Sequence, residues 1–335
     1  MSGPLHPALT PVTLPASWLY GVAVRVRNAW MDRREPWRAP RPVISVGNIT
    51  AGGTGKSPVV RWLCGRLQEA GLKPAVAMRG YRGEDASDEV IEHREAMPGV
   101  PVWVGADRRL AIERGLAEEP GVQVIVLDDG FQHRRVARDF DLVLVDACRP
   151  GLDGGLLPRG WLREPASGLR RASAVVVTRE PEADGSIEAA VARWHGHPPM
   201  ARCTHVWLGL SRIGSDGSSE ASLATLQGLS LAVWAGVGNP RSVIAEVTRL
   251  GGRVCDAPAL RDHHRFDAGG VARLASRAGA SGAAAVLCTS KDWTKLRRHP
   301  LPLPVLVPRL GVRFGAGEER LRQAILAAIQ GWKPG

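Results

Sequence analysis

The chain has 335 residues, 44% of them hydrophobic and 23% charged, which is enough apolar mass for a large core and more than one domain. Its formal net charge of +11 favours partners that carry phosphate (nucleic acid, anionic lipid headgroups or a phosphorylated substrate) without choosing among them. The five cysteines never form a C-x-x-C pair, which argues against a disulfide framework or a zinc site, and no apolar stretch reaches the roughly 18 to 20 residues that span a bilayer.

In chain order, residues 1–15 are proline-rich and expected to be irregular. They lack the charged and apolar regions of a signal peptide. Residues 16–34, ASWLYGVAVRVRNAWMDRR, predict an amphipathic helix. Trp18, Leu19, Val22, Ala23, Val26, Ala29 and Trp30 fall in one arc of roughly 140°, with Arg25, Arg27, Asn28 and Asp32 mostly outside it. Tryptophan beside arginine suits a membrane interface, so a membrane surface is an expected partner.

From Pro42 an α/β rhythm begins. PVISVGN, AVAM at 75–78, VQVIVLD at 122–128, DLVLVD at 141–146 and ASAVVVT at 172–178 are continuous apolar runs. Such runs predict strands buried on both faces of a parallel sheet, with crossover helices between them. Residues 35–204 are expected to form this nucleotide-binding domain. Residues 205–228 are richer in Ser and Gly and read as a linker. Residues 229–335, with apolar runs at 230–238, 283–290 and 302–308, read as a smaller α/β domain. The fold class is therefore α/β: a P-loop NTPase-type, mostly parallel sheet with helices on both faces, plus a smaller C-terminal α/β domain.

TAGGTGKS, spanning Thr50, Ala51, Gly52, Gly53, Thr54, Gly55, Lys56 and Ser57, lies between a predicted strand and a predicted helix. That is the setting of a phosphate-binding loop, in which backbone N–H groups wrap phosphate oxygens at a helix N-terminus. Lys56 would reach the outer phosphates of ATP, and the Ser57 hydroxyl would ligate Mg²⁺. The strict pattern asks for glycine at position 50, where this chain has threonine. VIVLDDG ends an apolar run with Asp128 and Asp129, and either could hold Mg²⁺ directly or through water.

The words around the loop carry a resemblance. VGNITAGGTGKSPVVRWL, RGYRG, DDGFQH, LLPRGWLREP, AGVGNP, DHHRF and TSKDWTKL occur in that order. Together they resemble the lipid A 4'-kinase family, and SWLYG is similar to that family's membrane-docking helix. The resemblance implies transfer of the γ-phosphate of ATP to the 4'-hydroxyl of a tetraacylated glucosamine disaccharide 1-phosphate, forming lipid IVA. It implies a peripheral protein at the cytoplasmic face of the bacterial inner membrane, acting on a membrane-embedded glycolipid; a monomer is expected.

The same resemblance implies residue roles. Asp88, in ASDEV, matches the family's general base, and His263, in DHHRF, matches the histidine paired with it when the domains close. ASDEV lacks the family's glycine before the aspartate and proline after the glutamate. Tyr81, Arg108 and Arg163 fall on blocks that border the substrate, and Glu164 could support Mg²⁺. Gln132 and His133 could hold the loop after the aspartate pair, and no role attaches to Lys291 and Asp292. A P-loop switch or metallochaperone acting on a protein partner is the alternative. Its guanine-reading N-K-x-D word is poorly imitated by TSKD, with Thr289 where Asn is wanted. No helix-turn-helix, zinc-finger or RNP-like word occurs, so nucleic acid is not an expected partner.

Overall fold

The continuous apolar runs become strands whose every residue is buried, as in β1 (Val43–Asn48), a pattern that only a sheet covered on both faces permits. The structure, a computed structural model, describes residues 10–52, 54–80, 88–149, 151–179, 185–214, 217–262 and 264–333. The chain opens with α1 (Thr10–Asp32), β1, α2 (Lys56–Glu69), β2 (Pro74–Met78), α3 (Asp88–Ala96), β3 (Val102–Val104) and α4 (Arg108–Glu118). It continues through β4 (Val124–Asp128), β5 (Phe140–Asp146), β6 (Ala174–Thr178), α5 (Ser186–His195), β7 (Ala201–Gly214) and β8 (Gly217–Ala221). It ends with β9 (Ser230–Trp234), α6 (Pro240–Arg249), β10 (Arg253–Asp256), α7 (Ala268–Ala280), β11 (Ala285–Cys288), α8 (Ser290–Leu296), β12 (Val305–Ala316) and α9 (Glu318–Gln330).

These elements form two compact units. The first holds residues 1–85, 97–205 and 312–335; the second holds 86–96 and 206–311. In the first unit the strand order is β7-β6-β5-β1-β4-β2-β3, and the pairs within it are parallel. Strand β1 lies between β4 and β5, so the chain reverses its direction of travel across the sheet beside it. Ligands of open α/β sheets bind beyond the strand carboxyl ends at such a reversal. Two cores flank the sheet. One gathers Ile49, Phe131, Val143, Leu169 and Val175; the other gathers Trp103, Ile112, Ile125 and Leu127. Each such side chain, fully buried, contributes about 1.5–3 kcal/mol.

Helix α1 lies on the first unit through its narrow side. Thr13, Ser17, Gly21 and Val24 are buried, at near i, i+4 spacing. Ser17 Oγ donates to Leu156 O at 2.5 Å, and a Cβ on Gly21 would stand 2.9 Å from Leu156 Cδ1. The seven residues of the expected apolar arc are all exposed, Trp18 at 66% and Val26 at 64%. The helix starts earlier than expected, at Thr10 rather than Ala16, and carries Pro15 within it.

In the second unit the strand order is β10-β9-β11-β12, with parallel pairs, and β8 pairs antiparallel to β7. Trp234, Val286, Leu296 and Val305 fill one side of these strands, and Leu210, Leu231, Val233 and Leu287 the other. Three boundaries differ from expectation. The stretch 205–228, expected as a linker, holds most of β7, all of β8 and a short 3₁₀ helix (Leu223–Leu226), because Leu210 and Leu226 are apolar enough to join a core. The short helix α3 belongs to the second unit, where it packs on α8. Helix α9, expected in the smaller domain, belongs to the first: Trp62 Nε1 donates to Glu318 Oε1 at 2.8 Å, and the Trp62 ring meets Phe314 at 4.5 Å.

Candidate active site

The phosphate loop leaves the carboxyl end of β1 and opens α2. Gly52 (φ +102°) and Gly55 (φ +75°) hold the left-handed backbone that lets peptide groups turn inward. Thr50 needs no such freedom. It forms a β-bridge with Leu162, and Ala51 N donates to Trp161 O at 2.7 Å, so position 50 is extended and takes threonine. Asn48 Nδ2 donates to Thr50 O at 2.8 Å, while its Oδ1 accepts from Lys56 Nζ at 3.2 Å. Lys56 is thereby aimed across the loop. Gly53 lies outside the described residues.

The aspartate pair ends the neighbouring strand β4. Asp128 is buried, and Asp129, held at φ +53°, turns its carboxylate outward with 40% of the side chain exposed. Lys56 Nζ stands 3.4 Å from Asp129 Oδ1, and Arg163 Nη1 donates to both oxygens of Asp129 at 3.0 and 2.8 Å. Lys56, Asp129 and Arg163, three residues expected in the site, therefore form one connected group. Arg108 is almost fully buried at the start of α4, capped by Asp107, and donates to Gly105 O at 2.7 Å. Burial, then the charge of Arg79, pushes its pKa down to about 10, against the opposing pull of Asp128 and Asp129.

Glu164, expected to support Mg²⁺, is 2% exposed with both oxygens already engaged. Oε1 accepts from Gln132 Nε2 at 2.9 Å and Oε2 from Arg171 Nη2 at 2.7 Å. A buried carboxylate needs such partners, and these tie Glu164 to the loop after the aspartate pair. Gln132 also donates to Asn48 O at 2.7 Å, tying the residues after the aspartate pair to the phosphate loop. Helix α1 joins the network: Tyr20 Oη donates to Arg163 O at 2.7 Å and Arg27 Nη2 to Gln132 O at 2.7 Å. Asn48, Arg171, Tyr20 and Arg27 escaped the sequence reading. Asn48 and Tyr20 lie inside quoted words, Arg171 lies just before the run at 172–178, and Arg27 was placed only on the polar side of the helix.

In the second unit, Asp88 begins α3. Its Oδ1 accepts from Thr294 Oγ1 at 3.0 Å, and Lys295 Nζ stands 3.6 Å from Oδ2. Both partners come from TSKDWTKL, which gives that word a physical role. Asp292 in the same word is fully buried, accepting from Thr289 Oγ1 at 2.6 Å and from Gly236 N at 3.1 Å. It thus ties AGVGNP to α8, and burial raises its pKa. Tyr81 and His263 lie outside the described residues. His264 sets its ring edge-on to Phe266 at 4.8 Å, and its backbone N–H donates to Arg261 O.

The donor set fits a nucleotide with Mg²⁺. Ser57 and the Asp128–Asp129 pair supply only hard oxygen donors, which suits a cation that takes its remaining ligands from water and substrate phosphates. Among the described residues no three His, Cys, Asp or Glu side chains converge as an all-protein metal cage. The left-handed glycines and the lysine above them fit the phosphates.

A parallel α/β unit with this loop on β1 and paired aspartates on β4 is a P-loop nucleotide-binding protein of the phosphotransferase kind. The tetraacyldisaccharide-1-P 4'-kinase family (LpxK) matches residues 9–330, and the chain belongs to that family. A tetraacyldisaccharide 4'-kinase of Syntrophus aciditrophicus is 37% identical over 309 residues, covering 84% of this chain and 82% of the relative. One of Syntrophotalea carbinolica is 35% identical, covering 96% and 94%. The crystal structure of an "apo" form of LpxK from Aquifex aeolicus in complex with ATP superposes with a TM-score of 0.72 at 26% identity, covering 94% of this chain and 98% of that one. The alternative of a switch or metallochaperone is not favoured by these relatives.

Proposed function

We infer that this chain transfers the γ-phosphoryl group of ATP to the 4'-hydroxyl of a tetraacyl glucosamine disaccharide 1-phosphate, forming lipid IVA in lipid A biosynthesis. The observation that carries this reading is the family match across residues 9–330. The cluster of Lys56, Asp129 and Arg163 at the strand ends supports it. In this reading Lys56 leaves Asp129 for the β- and γ-phosphates, and Arg163 offsets charge on the transferring group. Arg108 and Tyr81 hold the substrate beside it. Asp88 accepts the proton of the sugar hydroxyl, with His263 tuning its basicity. Mg²⁺ held by Ser57 and the Asp128–Asp129 pair would neutralise charge between the outer phosphates.

The exposed tryptophan face of α1 lies on the cytoplasmic side of the inner membrane, where the acyl chains of the substrate stay in lipid. Among the described residues no helix is long and apolar enough to cross a membrane. The protein acts there as a monomer and has no nucleic-acid partner. The test is direct. Purified protein in detergent, given ATP and radiolabelled disaccharide 1-phosphate lipid, yields a doubly phosphorylated product. Folded protein that binds ATP and forms no such product would sink the reading.

A further inference from the structure

The outward face of the phosphate loop is held by two side chains from strands beyond it. Thr178, which ends β6, donates from Oγ1 to Thr54 O at 3.3 Å. His205, on β7, brings Nε2 to 3.2 Å from Gly55 O. The imidazole also closes the space beside Gly55, since a Cβ there would stand 2.0 Å from the ring. Both strands lie on the side of β1 away from β4 and its aspartates.

A trans peptide is planar, so its C=O and N–H point in opposite directions. Thr54 O shares a peptide with Gly55 N–H, and Gly55 O shares one with Lys56 N–H. Fixing the two carbonyls away from the crevice aims those two N–H groups into it, at the helix N-terminus where phosphates bind. The loop glycines make this necessary. A left-handed glycine turns either way at small cost, so its peptide plane must be set from outside.

We propose that His205 and Thr178 are positioning residues for the nucleotide, setting the two peptide planes whose N–H groups receive its phosphates. Neither touches the reacting atoms. Burial lowers the His205 pKa, with Arg179 and Arg61 adding to the effect and the Gly55 bond and Asp146 opposing it. The ring is therefore neutral at pH 7, with its proton on Nε2, where it donates to the carbonyl without adding charge. The inference rests on the nucleotide-binding reading of residues 50–57.

Four variants of the full chain test it. His205→Phe and Thr178→Val keep shape and remove the donor; His205→Gln and Thr178→Ser keep a donor. Loss of one such hydrogen bond is expected to raise the Kd for MgATP by calorimetry, and KM for ATP, roughly five- to tenfold, leaving KM for the lipid acceptor within about twofold. The donor-keeping variants stay within about twofold of the unsubstituted chain on both counts. Unchanged ATP affinity in His205→Phe and Thr178→Val overturns the proposal. So does an equal loss in all four variants, or an equal rise in both KM values. If the unsubstituted chain itself fails to bind MgATP, the nucleotide reading falls and takes the inference with it.

Discussion

At the scale of single residues, charges near the loop are held by named partners, and removing one has a definite sign. Arg171→Ala strands the Glu164 carboxylate, which is 2% exposed. Breaking a buried pair from one side costs about 3–5 kcal/mol, so the thermal midpoint should drop clearly, whereas Arg193→Ala, at an exposed pair with Asp153, should change it little. Asp88→Ala should lower kcat far more than ATP affinity; unchanged kcat in a steady-state assay would mean that the base lies elsewhere. His133 gives a pH signature. Burial, then Arg108, pushes its pKa down to about 4, so the folded state favours the neutral ring and the unfolded state binds more protons. Its contribution to stability is whole above the ordinary histidine value of about 6.5 and is lost as pH falls toward about 4. Melting curves between those limits should show a decline that His133→Asn flattens.

At the scale of elements, α1 has two sides with different work. Ser17, Tyr20 and Arg27 bond to the first unit, the last two beside Arg163 and Gln132. Trp18, Leu19, Val22, Val26 and Trp30 face outward, with the Arg34 guanidinium stacked 3.7 Å over the Trp30 ring. Deleting the helix would disturb both sides at once, so substitution is the cleaner test. Trp18→Glu with Leu19→Glu should weaken binding to anionic vesicles by about tenfold or more while leaving ATP affinity as it was. Sedimentation with vesicles reads the first effect and calorimetry the second; full vesicle binding by the double variant would show that the helix is only structural. Helix α8 works differently. Its N-terminal word was legible as a family block, yet the partners of Thr294 and Lys295 on α3 lie some two hundred residues away in sequence.

At the scale of the whole molecule, the net charge of +11 should appear as salt dependence. Between about 0.01 and about 1 M salt the screening length falls from about 30 to about 3 Å, so affinity for anionic vesicles should fall steeply, with an apolar remainder from α1. Affinity for neutral vesicles should change little over the same range. If both respond alike, the basic charge is not what draws the protein to anionic lipid. The two-unit organisation also sets what truncation can do. Ending the chain before residue 312 removes α9 and with it the partners of Trp62, so such a truncation should destabilise the nucleotide-binding unit rather than the smaller one.

Local chemistry was legible in the sequence because it is local. A run such as VIVLD has the pattern of a doubly covered strand, TAGGTGKS between strand and helix has the setting of a phosphate loop, and the arc from Trp18 to Trp30 follows from 3.6 residues per turn. All seven residues of that arc are exposed, and the parallel sheet is as expected. What the tertiary structure decided is which groups already have partners. Glu164 in LREP is expected beside Mg²⁺, and only the approach of Gln132 and Arg171 shows that both its oxygens already have partners. Thr50 reads as a departure from the loop pattern until its bridge to Leu162 shows an extended residue. The assignment of α3 to one unit and α9 to the other depends on contacts between segments far apart in sequence, and no periodicity within either helix encodes them.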